Sequence, residues 1–475
     1  MLDKKNFYIN GKWVKPLKSN DFEVINPSNE EPFAVISLGS KEDTDAAVKA
    51  AKNAFIDWKE TSKEERINLL EKLLKIYKKR FNEMAEAMSM EMGSPIDFAI
   101  STHASSGQAH LEDFILRLKE FKFEEHFNSK SNNHIAREPI GVCGLITPWN
   151  WPINQTISKL GPCLASGCTA ILKPSEISPL SANIIAEIIH EAKAPAGVFN
   201  MVHGLGPVVG EALSSHKDVD MMSFTGSTRG GIAVAKASAK TVKRVSQELG
   251  GKSPNIILDD NAFESSVKIG VEKIMENTGQ SCNAPTRMLV PKNRHEEAMQ
   301  IAKLVAENLK TGDPKEETTD IGPLVSDVQY EKVQRLIESG INAGAKLVTG
   351  GKGRPSHLNK GYYVKPTVFA DVDNQMEIAQ EEIFGPVLSI IPYDSEDEAV
   401  EIANDTEYGL SAYIAGENTE RLREIGRKIR AGQVHINYGS GGTNAPFGGF
   451  KQSGNGREKA EWGLEEFLET KAIMG

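Results

Sequence analysis

Two residues thirty-four positions apart could share one covalent reaction. They are Cys282, which ends Gly279-Gln280-Ser281-Cys282, and Glu248, which opens Glu248-Leu249-Gly250-Gly251-Lys252. A cysteine attacks an electrophilic carbon as thiolate, and at its ordinary pKa of about 8.5 only a few per cent has that form at neutral pH. Local groups must therefore activate the sulfur, and a carboxylate within reach could finish the reaction by hydrolysis. No histidine is close to Cys282 in the chain, so a Cys-His pair would have to be assembled in space from the ten histidines. The bland alternative is equally concrete: a lone cysteine is more often a small buried hydrophobe, and a lone glutamate a solvated acid.

The elements that would position these residues must come from a chain of 475 residues, long enough for about three domain-sized units and a core that needs no staples. Charged residues at 25% and hydrophobic ones at 39% are ordinary globular values. A net charge of −10, with no basic run beyond short stretches such as Lys78-Lys79-Arg80, predicts neither nucleic acid nor membrane as a partner. Cys143, Cys163, Cys168 and Cys282 make no disulfide framework and no Cys-x-x-Cys zinc pair, so no metal is invoked. The N-terminus lacks the apolar core of a secretion signal, and no apolar run approaches a membrane span. A soluble, cytoplasmic protein is the expectation.

Along the chain, Tyr8-Ile9-Asn10-Gly11-Lys12-Trp13-Val14 predicts a hairpin with a type I′ turn at Asn-Gly. Helical spacing runs from Ser40 to Trp58, and Ser62-Lys63-Glu64-Glu65 is a capping box that opens a second helix. Gly93 and Pro95 end this helical region. From about 140 to 260, short apolar runs (Val142 to Ile146, Thr169 to Leu172, Val198 to Val202, Met221 to Phe224, Asn255 to Leu258) alternate with helical segments, as in a parallel α/β sheet. Between them, Ser178 is the expected cap and Pro179 the first residue of a helix whose Ile184, Ile185, Ile188 and Ile189 face the sheet. A second α/β unit is expected over 262–437 from runs such as Arg287 to Val290, Val387 to Ile391 and Gln433 to Asn437, with Gly439-Ser440-Gly441-Gly442 as a flexible loop.

An ordered set of short strings adds a family likeness: Pro148-Trp149-Asn150, Leu172-Lys173-Pro174-Ser175-Glu176, Phe224-Thr225-Gly226-Ser227-Thr228, the Glu248 and Cys282 strings, Glu382-Ile383-Phe384-Gly385-Pro386, and Pro446-Phe447-Gly448-Gly449-Phe450-Lys451. Each alone is weak; together they resemble the NAD(P)-dependent aldehyde dehydrogenase superfamily over essentially the whole chain. That resemblance implies an α/β fold with a Rossmann-like NAD-binding domain (1–119 and 140–250), a second α/β catalytic domain (251–450) and a small β oligomerisation element (120–139 and 451–475). It implies a homodimer or homotetramer, with the tail Phe467 to Ile473 as a strand added to a neighbour's sheet.

By the same resemblance, Cys282 converts an aldehyde to a thiohemiacetal that gives up hydride and becomes a thioester. Asn150 would donate to the oxyanion, a role compatible with its turn-forming position, and removing such a donor costs roughly 3 to 4 kcal/mol. Glu248 would activate water to release a free acid, whereas relatives that transfer the acyl group to coenzyme A commonly lack this glutamate. Lys159 and Glu458 match a proton relay in some relatives, or a structural ion pair. Lys173 and Glu176 would hold the adenosine ribose, with Glu176 repelling a 2′-phosphate, so NAD is favoured; NADP stays open because Glu176 can rotate away and Lys173 attracts phosphate.

The pyrophosphate would lie near Gly226 and Ser227 at a helix start. Gly204 to Gly210, with Gly206, has the wrong spacing for a dinucleotide fingerprint and reads equally as a helix-entry turn. Glu382 and Phe384 would hold the nicotinamide ribose and ring, or be a surface acid and a core aromatic; Trp149 is a cofactor or a packing residue. Pocket positions by resemblance are Trp151, Gln155, Ser158, Glu276, Gly441 and Phe447, and Glu276 suggests a polar, cationic aldehyde. A cofactor-independent cysteine thioesterase or esterase would use the same Cys282, Asn150 and Glu248, and a non-enzymatic scaffold would need none of them.

Overall fold

The computed structural model describes residues 1–127 and 132–475, so four residues of the expected oligomerisation element lie outside the described residues. The largest sheet has the strand order Gly454–Asn455, Arg244–Glu248, Met221–Thr225, Val142–Ile146, Thr169–Lys173, Phe199–Met201, Phe7–Ile9, Lys12–Val14. Its middle five strands are parallel. Four of these, Val142–Ile146, Thr169–Lys173, Phe199–Met201 and Met221–Thr225, are buried at every residue, which explains their largely apolar texture. The chain winds outward from Val142–Ile146 through 169–173 to 199–201, then returns across the sheet to 221–225 and 244–248. This reversal splays the connections after Ile146 and Thr225 to opposite sides and opens a crevice at the carboxyl ends, where ligands of such sheets bind.

The edges follow local chemistry. The hairpin pairs Phe7–Ile9 with Lys12–Val14, and Asn10 and Gly11 carry φ of 52° and 74°, the two left-handed residues of a type I′ turn. The Ser62/Glu65 capping box opens helix Lys63–Lys79 as expected. Strand ends differ from the expected ones by one or two residues. The cap at Ser178 is a correction. Helix Leu180–Glu191 has Pro179 at its N-cap and no side-chain cap there. Instead the buried Glu91 carboxylate accepts from the Leu180 N–H (2.5 Å), the Ser181 N–H (3.2 Å) and the Ser181 hydroxyl (2.6 Å), while the Ser178 hydroxyl donates to the Trp149 carbonyl. All four isoleucines of that helix are buried.

The second large sheet runs Lys346–Thr349, Thr367–Ala370, Val387–Tyr393, Arg287–Pro291, Pro254–Ile257, Ser411–Ala415, Gln433–Ile436, parallel except for its first strand. Two three-stranded sheets complete the described residues. One joins Leu2–Asp3, Glu31–Ser37 and Asp21–Asn26, which the sequence pattern did not announce. In the other, the tail strand Leu468–Ile473 pairs along its length with His134–Pro139 of its own chain, which in turn pairs with Glu124–His126. The tail's inner edge is therefore taken within the chain and only its outer edge is open. Gly454–Asn455, within the same expected element, instead joins the largest sheet beside Glu248. Among the described residues no helix is long and apolar enough to cross a membrane.

Candidate active site

The crevice at the carboxyl ends of the largest sheet is lined by Trp149 and Asn150 from the turn after Ile146, Gly226 and Ser227 from the turn after Thr225, and Cys282, Glu382 and Phe384 from the second sheet's connections. Seven of the expected site residues thus meet in one cleft. A larger, more open depression beyond the second sheet holds surface charges that are already matched, such as Lys292 with Asp394 at 3.1 Å, and no thiol.

Cys282 is partly exposed, whereas Cys143, Cys163 and Cys168 are buried. Its loop is held in an unusual backbone: Asn277, Thr278 and Gly279 are successively left-handed, with φ of 53°, 56° and 69°. Each has a partner or a reason. The Asn277 amide donates to the carbonyls of Asn150 (3.0 Å) and Gln280 (3.2 Å), and its oxygen faces His103 Nε2 at 3.2 Å. Thr278 donates to the Gly322 carbonyl. A side chain at Gly279 would begin 2.1 Å from the Gly385 carbonyl oxygen. Asn150 Nδ2 donates to the Gln280 carbonyl at 3.0 Å, so this amide stands beside the loop that carries the thiol and keeps a second N–H for another acceptor.

The glycines of the Glu248 string have steric reasons as well. A Cβ at Gly251 would lie 2.3 Å from the Cys282 carbonyl oxygen, and one at Gly250 would lie 2.9 Å from the Glu382 carboxylate. Glu382 accepts from the Gly251 N–H at 3.0 Å. Ser453, from the C-terminal string, fixes this turn by accepting from Leu249 N–H through its carbonyl and donating from its hydroxyl to the Gly250 carbonyl at 2.6 Å.

Glu248 is buried, and among the described residues neither of its carboxyl oxygens has a hydrogen-bond partner. Burial, followed by the nearby Glu458 carboxylate, pushes it well above the usual carboxylate range. Burial, then the carboxyls of Glu382, Glu248 and Glu458, also push the Cys282 thiol up, so the sulfur is protonated at rest. Glu458 is itself paired with the buried Lys159 amine and accepts from the Ser158 hydroxyl at 3.2 Å. This contact is the ion pair; among the described residues no hydrogen bond carries it on to Glu248.

On the other wall, Ser227 caps helix Thr228–Ser238, with its hydroxyl accepting from the Gly230 N–H at 3.2 Å, and the helix start faces the cleft. Trp149 and Phe384 meet edge to face at 5.3 Å. Phe384 carries φ of 62°, and the Gln329 amide holds it through the carbonyls of Ile383 (3.1 Å) and Phe384 (2.8 Å). Gln329 and Lys332 line the cleft from helix Asp327–Asn342 and had no motif to reveal them.

Glu248, Lys173, Glu176 and Gly206 are not among the residues lining that cleft, although Leu249 and Gly250 beside Glu248 are. Lys173 ends the strand 169–173, with its buried amine donating to Glu176 at 3.2 Å and to the Pro174 carbonyl. Gly206 starts a wide turn, Gly206–Gly210, that leads into helix Glu211–Ser215, which is the helix-entry reading; nothing stands within 4 Å of a Cβ added there. A helix start, an amine-carboxylate pair and an aromatic pair beside the thiol, spread along the carboxyl edge of one Rossmann-type sheet, fit a dinucleotide in chemistry.

Of the expected pocket residues, Trp151 donates to the Ser281 hydroxyl at 2.9 Å and packs on His103, and Gln155 is buried with its side-chain amide oxygen unpartnered among the described residues. Glu276 is paired with Lys273 at 2.6 Å. Gly441 is exposed and Phe447 is buried.

Comparison with known proteins agrees with this geometry. The sequence profile described as "Aldehyde dehydrogenase family" matches residues 13–473. The chain is 51% identical over 476 residues to 3-succinoylsemialdehyde-pyridine dehydrogenase of Pseudomonas sp, covering 100% of this chain and 99% of that one. Its structure is similar to the crystal structure of aldehyde dehydrogenase from Bartonella henselae, with a TM-score of 0.98, 51% identity, and 100% and 99% of the two chains covered. It is also similar to a cysteine-to-alanine mutant of Pseudomonas syringae aldehyde dehydrogenase C complexed with NAD+ and octanal, with a TM-score of 0.97, 49% identity, and 99% and 96% covered.

Proposed function

Because the chain belongs to the aldehyde dehydrogenase family, we propose that it oxidises an aldehyde to the free carboxylic acid with NAD+, using Cys282 as nucleophile, Asn150 as oxyanion donor and Glu248 as general base. One observation carries this reading. A partly exposed thiol and an amide with a spare N–H line the cleft, and a buried carboxyl without a hydrogen-bond partner among the described residues lies near enough to act on that thiol.

The Cys282 sulfur loses its proton and bonds to the aldehyde carbon, and the resulting oxyanion is met by the Asn150 amide and the Cys282 backbone N–H. When bound, NAD+ supplies the acceptor for the hydride that the thiohemiacetal on Cys282 releases. The carbon is then a thioester of Cys282. Glu248, once ionised, takes a proton from water as the oxygen attacks that thioester, the C–S bond breaks, and acid and thiol result. Trp149, Phe384 and Glu382 would hold the nicotinamide end, Gly226 and Ser227 the pyrophosphate, and Lys173 and Glu176 the adenosine ribose, with Gly206 leaving room beside it. The anionic partner of Lys173 favours NAD+ over NADP+, a reading supported by the NAD+ complexed with the similar Pseudomonas syringae enzyme.

An aldehyde panel assayed side by side with NAD+ and NADP+ tests the reading. The expected result is reduction of the dinucleotide with one acid formed per turnover, and a kcat/KM at least about tenfold lower for NADP+ from repulsion at Glu176. Acid formation without dinucleotide reduction would favour a cofactor-independent hydrolase.

The close approach behind the nucleophile gives a second expectation. Gly251→Ala must displace the Cys282 carbonyl, and a shift of about 1 Å in a reacting group costs on the order of 100-fold. We expect kcat/KM to fall by that order with the far-UV spectrum retained, and kinetics like those of the native enzyme would show that the loop moves freely.

The proposed division of the chain is a cofactor-binding unit of 1–119 and 140–250, a catalytic unit of 251–450 and an oligomerisation element of 120–139 with the tail. The open outer edge of Leu468–Ile473, exposed from Glu469 onward, supports assembly into a homodimer or homotetramer. Four unpaired thiols support a cytoplasmic setting.

A further inference from the structure

We propose that Lys459 forms an anion-binding subsite in the aldehyde channel, so that the preferred substrates carry a carboxylate at the end remote from the carbonyl. The proposal rests on Cys282 being the nucleophile and on Phe447 lining the aldehyde pocket.

Lys459 follows Glu458, whose backbone forms a two-way bridge with Phe447 (2.9 and 2.7 Å). Lys459 and Ala460 then adopt φ of 70° and 49°, two successive left-handed residues without a glycine. Such a backbone costs free energy, and here it directs the lysine side chain over Phe447, with Nζ 4.9 Å from the ring centroid. The amine donates only a long bond, 3.4 Å, to the Gly442 carbonyl, and it forms no ion pair among the described residues. An ammonium has three donors, so this one is largely unspent. Burial lowers its pKa, and the Glu458 carboxylate foremost opposes that. Its charge in turn acts on the buried His110 of helix Ser105–Glu120 and on His435 of strand Gln433–Ile436. The amine thus stands over Phe447, one of the positions expected by resemblance to line the aldehyde pocket.

The carboxyls nearby leave that charge unmatched. Glu458 is paired with Lys159, and Glu248 forms no ion pair among the described residues. Glu276, from which a cationic aldehyde was expected, is already paired with its neighbour Lys273 on the same turn of chain. The specificity inferred from Lys459 has the opposite sign, with the cation on the protein. The Phe447 ring and the lysine stem offer an apolar wall for the methylenes between carbonyl and carboxylate.

The test compares 4-oxobutanoate, 5-oxopentanoate and 6-oxohexanoate with their methyl esters in the NAD+-loaded enzyme. At the best chain length the free acid should exceed its ester in kcat/KM by at least about tenfold, and Lys459→Met should remove roughly 10- to 100-fold for the acid but far less for the ester. Lys459→Arg, which keeps the charge, should retain part of the preference. Equal loss on acid and ester would overturn the proposal and leave Lys459 as a tether of the 442 loop or an activator of the thiol. A native preference for the ester would overturn it too. If no aldehyde is oxidised, the assigned reaction fails and the subsite is judged separately, by calorimetry of glutarate with Cys282→Ala protein and NAD+. Binding that Lys459→Met weakens tenfold or more supports the subsite, and no binding overturns it.

Discussion

Cys282→Ala is expected to lower kcat by on the order of 10⁴-fold or more, the scale on which removal of a covalent nucleophile is felt. No other thiol can stand in: Cys143, Cys163 and Cys168 are fully buried in and around the largest sheet. The loop should survive, because Asn277, Thr278 and Gln280 hold it through contacts that do not involve the sulfur. NAD+ binding, followed by quenching of intrinsic fluorescence, should therefore stay close to native while NADH formation vanishes. Mass spectrometry after mixing with aldehyde and NAD+ should find an acyl adduct on the native chain and none on the variant. Residual turnover within tenfold of native would remove Cys282 from the centre of the chemistry and, with it, the cleft from its assigned use.

What was legible in the sequence is what local physics fixes. Asn10-Gly11 names its own turn because only residues tolerant of positive φ can make it, and the Ser62/Glu65 box names a helix start because both partners are within three residues. The motif strings carried the site for a related reason. Their glycines mark places where two backbones approach, as at Gly251 against Cys282 and Gly279 against Gly385. What was illegible depends on tertiary burial. The helix at Leu180 is capped by Glu91, eighty-nine residues earlier in the chain, and no pattern around Ser178 could disclose that. Gln329 and Lys332 reach the cleft from the face of an ordinary amphipathic helix. The pairing of Glu276 was itself legible, since Lys273 precedes it by three residues.

Glu248→Gln separates the two halves of the reaction. The carboxyl is buried, has no protein partner, and titrates well above the ordinary carboxylate range because of burial and then the negative Glu458. Deacylation needs the ionised form, so its rate should rise with pH through that elevated pKa and fall as acid protonates the group. Glutamine preserves size and polarity but accepts no proton, and general-base loss is worth roughly 10²- to 10⁴-fold. Hydride release asks nothing of this side chain. The variant should therefore give a burst of NADH close to one per active site, followed by slow turnover with a thioester trapped on Cys282. The acid limb assigned to Glu248 should be absent from what turnover remains. Added hydroxylamine, which attacks thioesters without a base, should restore cycling and yield the hydroxamate. Steady turnover near the native rate, with the acid limb unchanged, would assign water activation to another group and leave the partnerless carboxyl without a task.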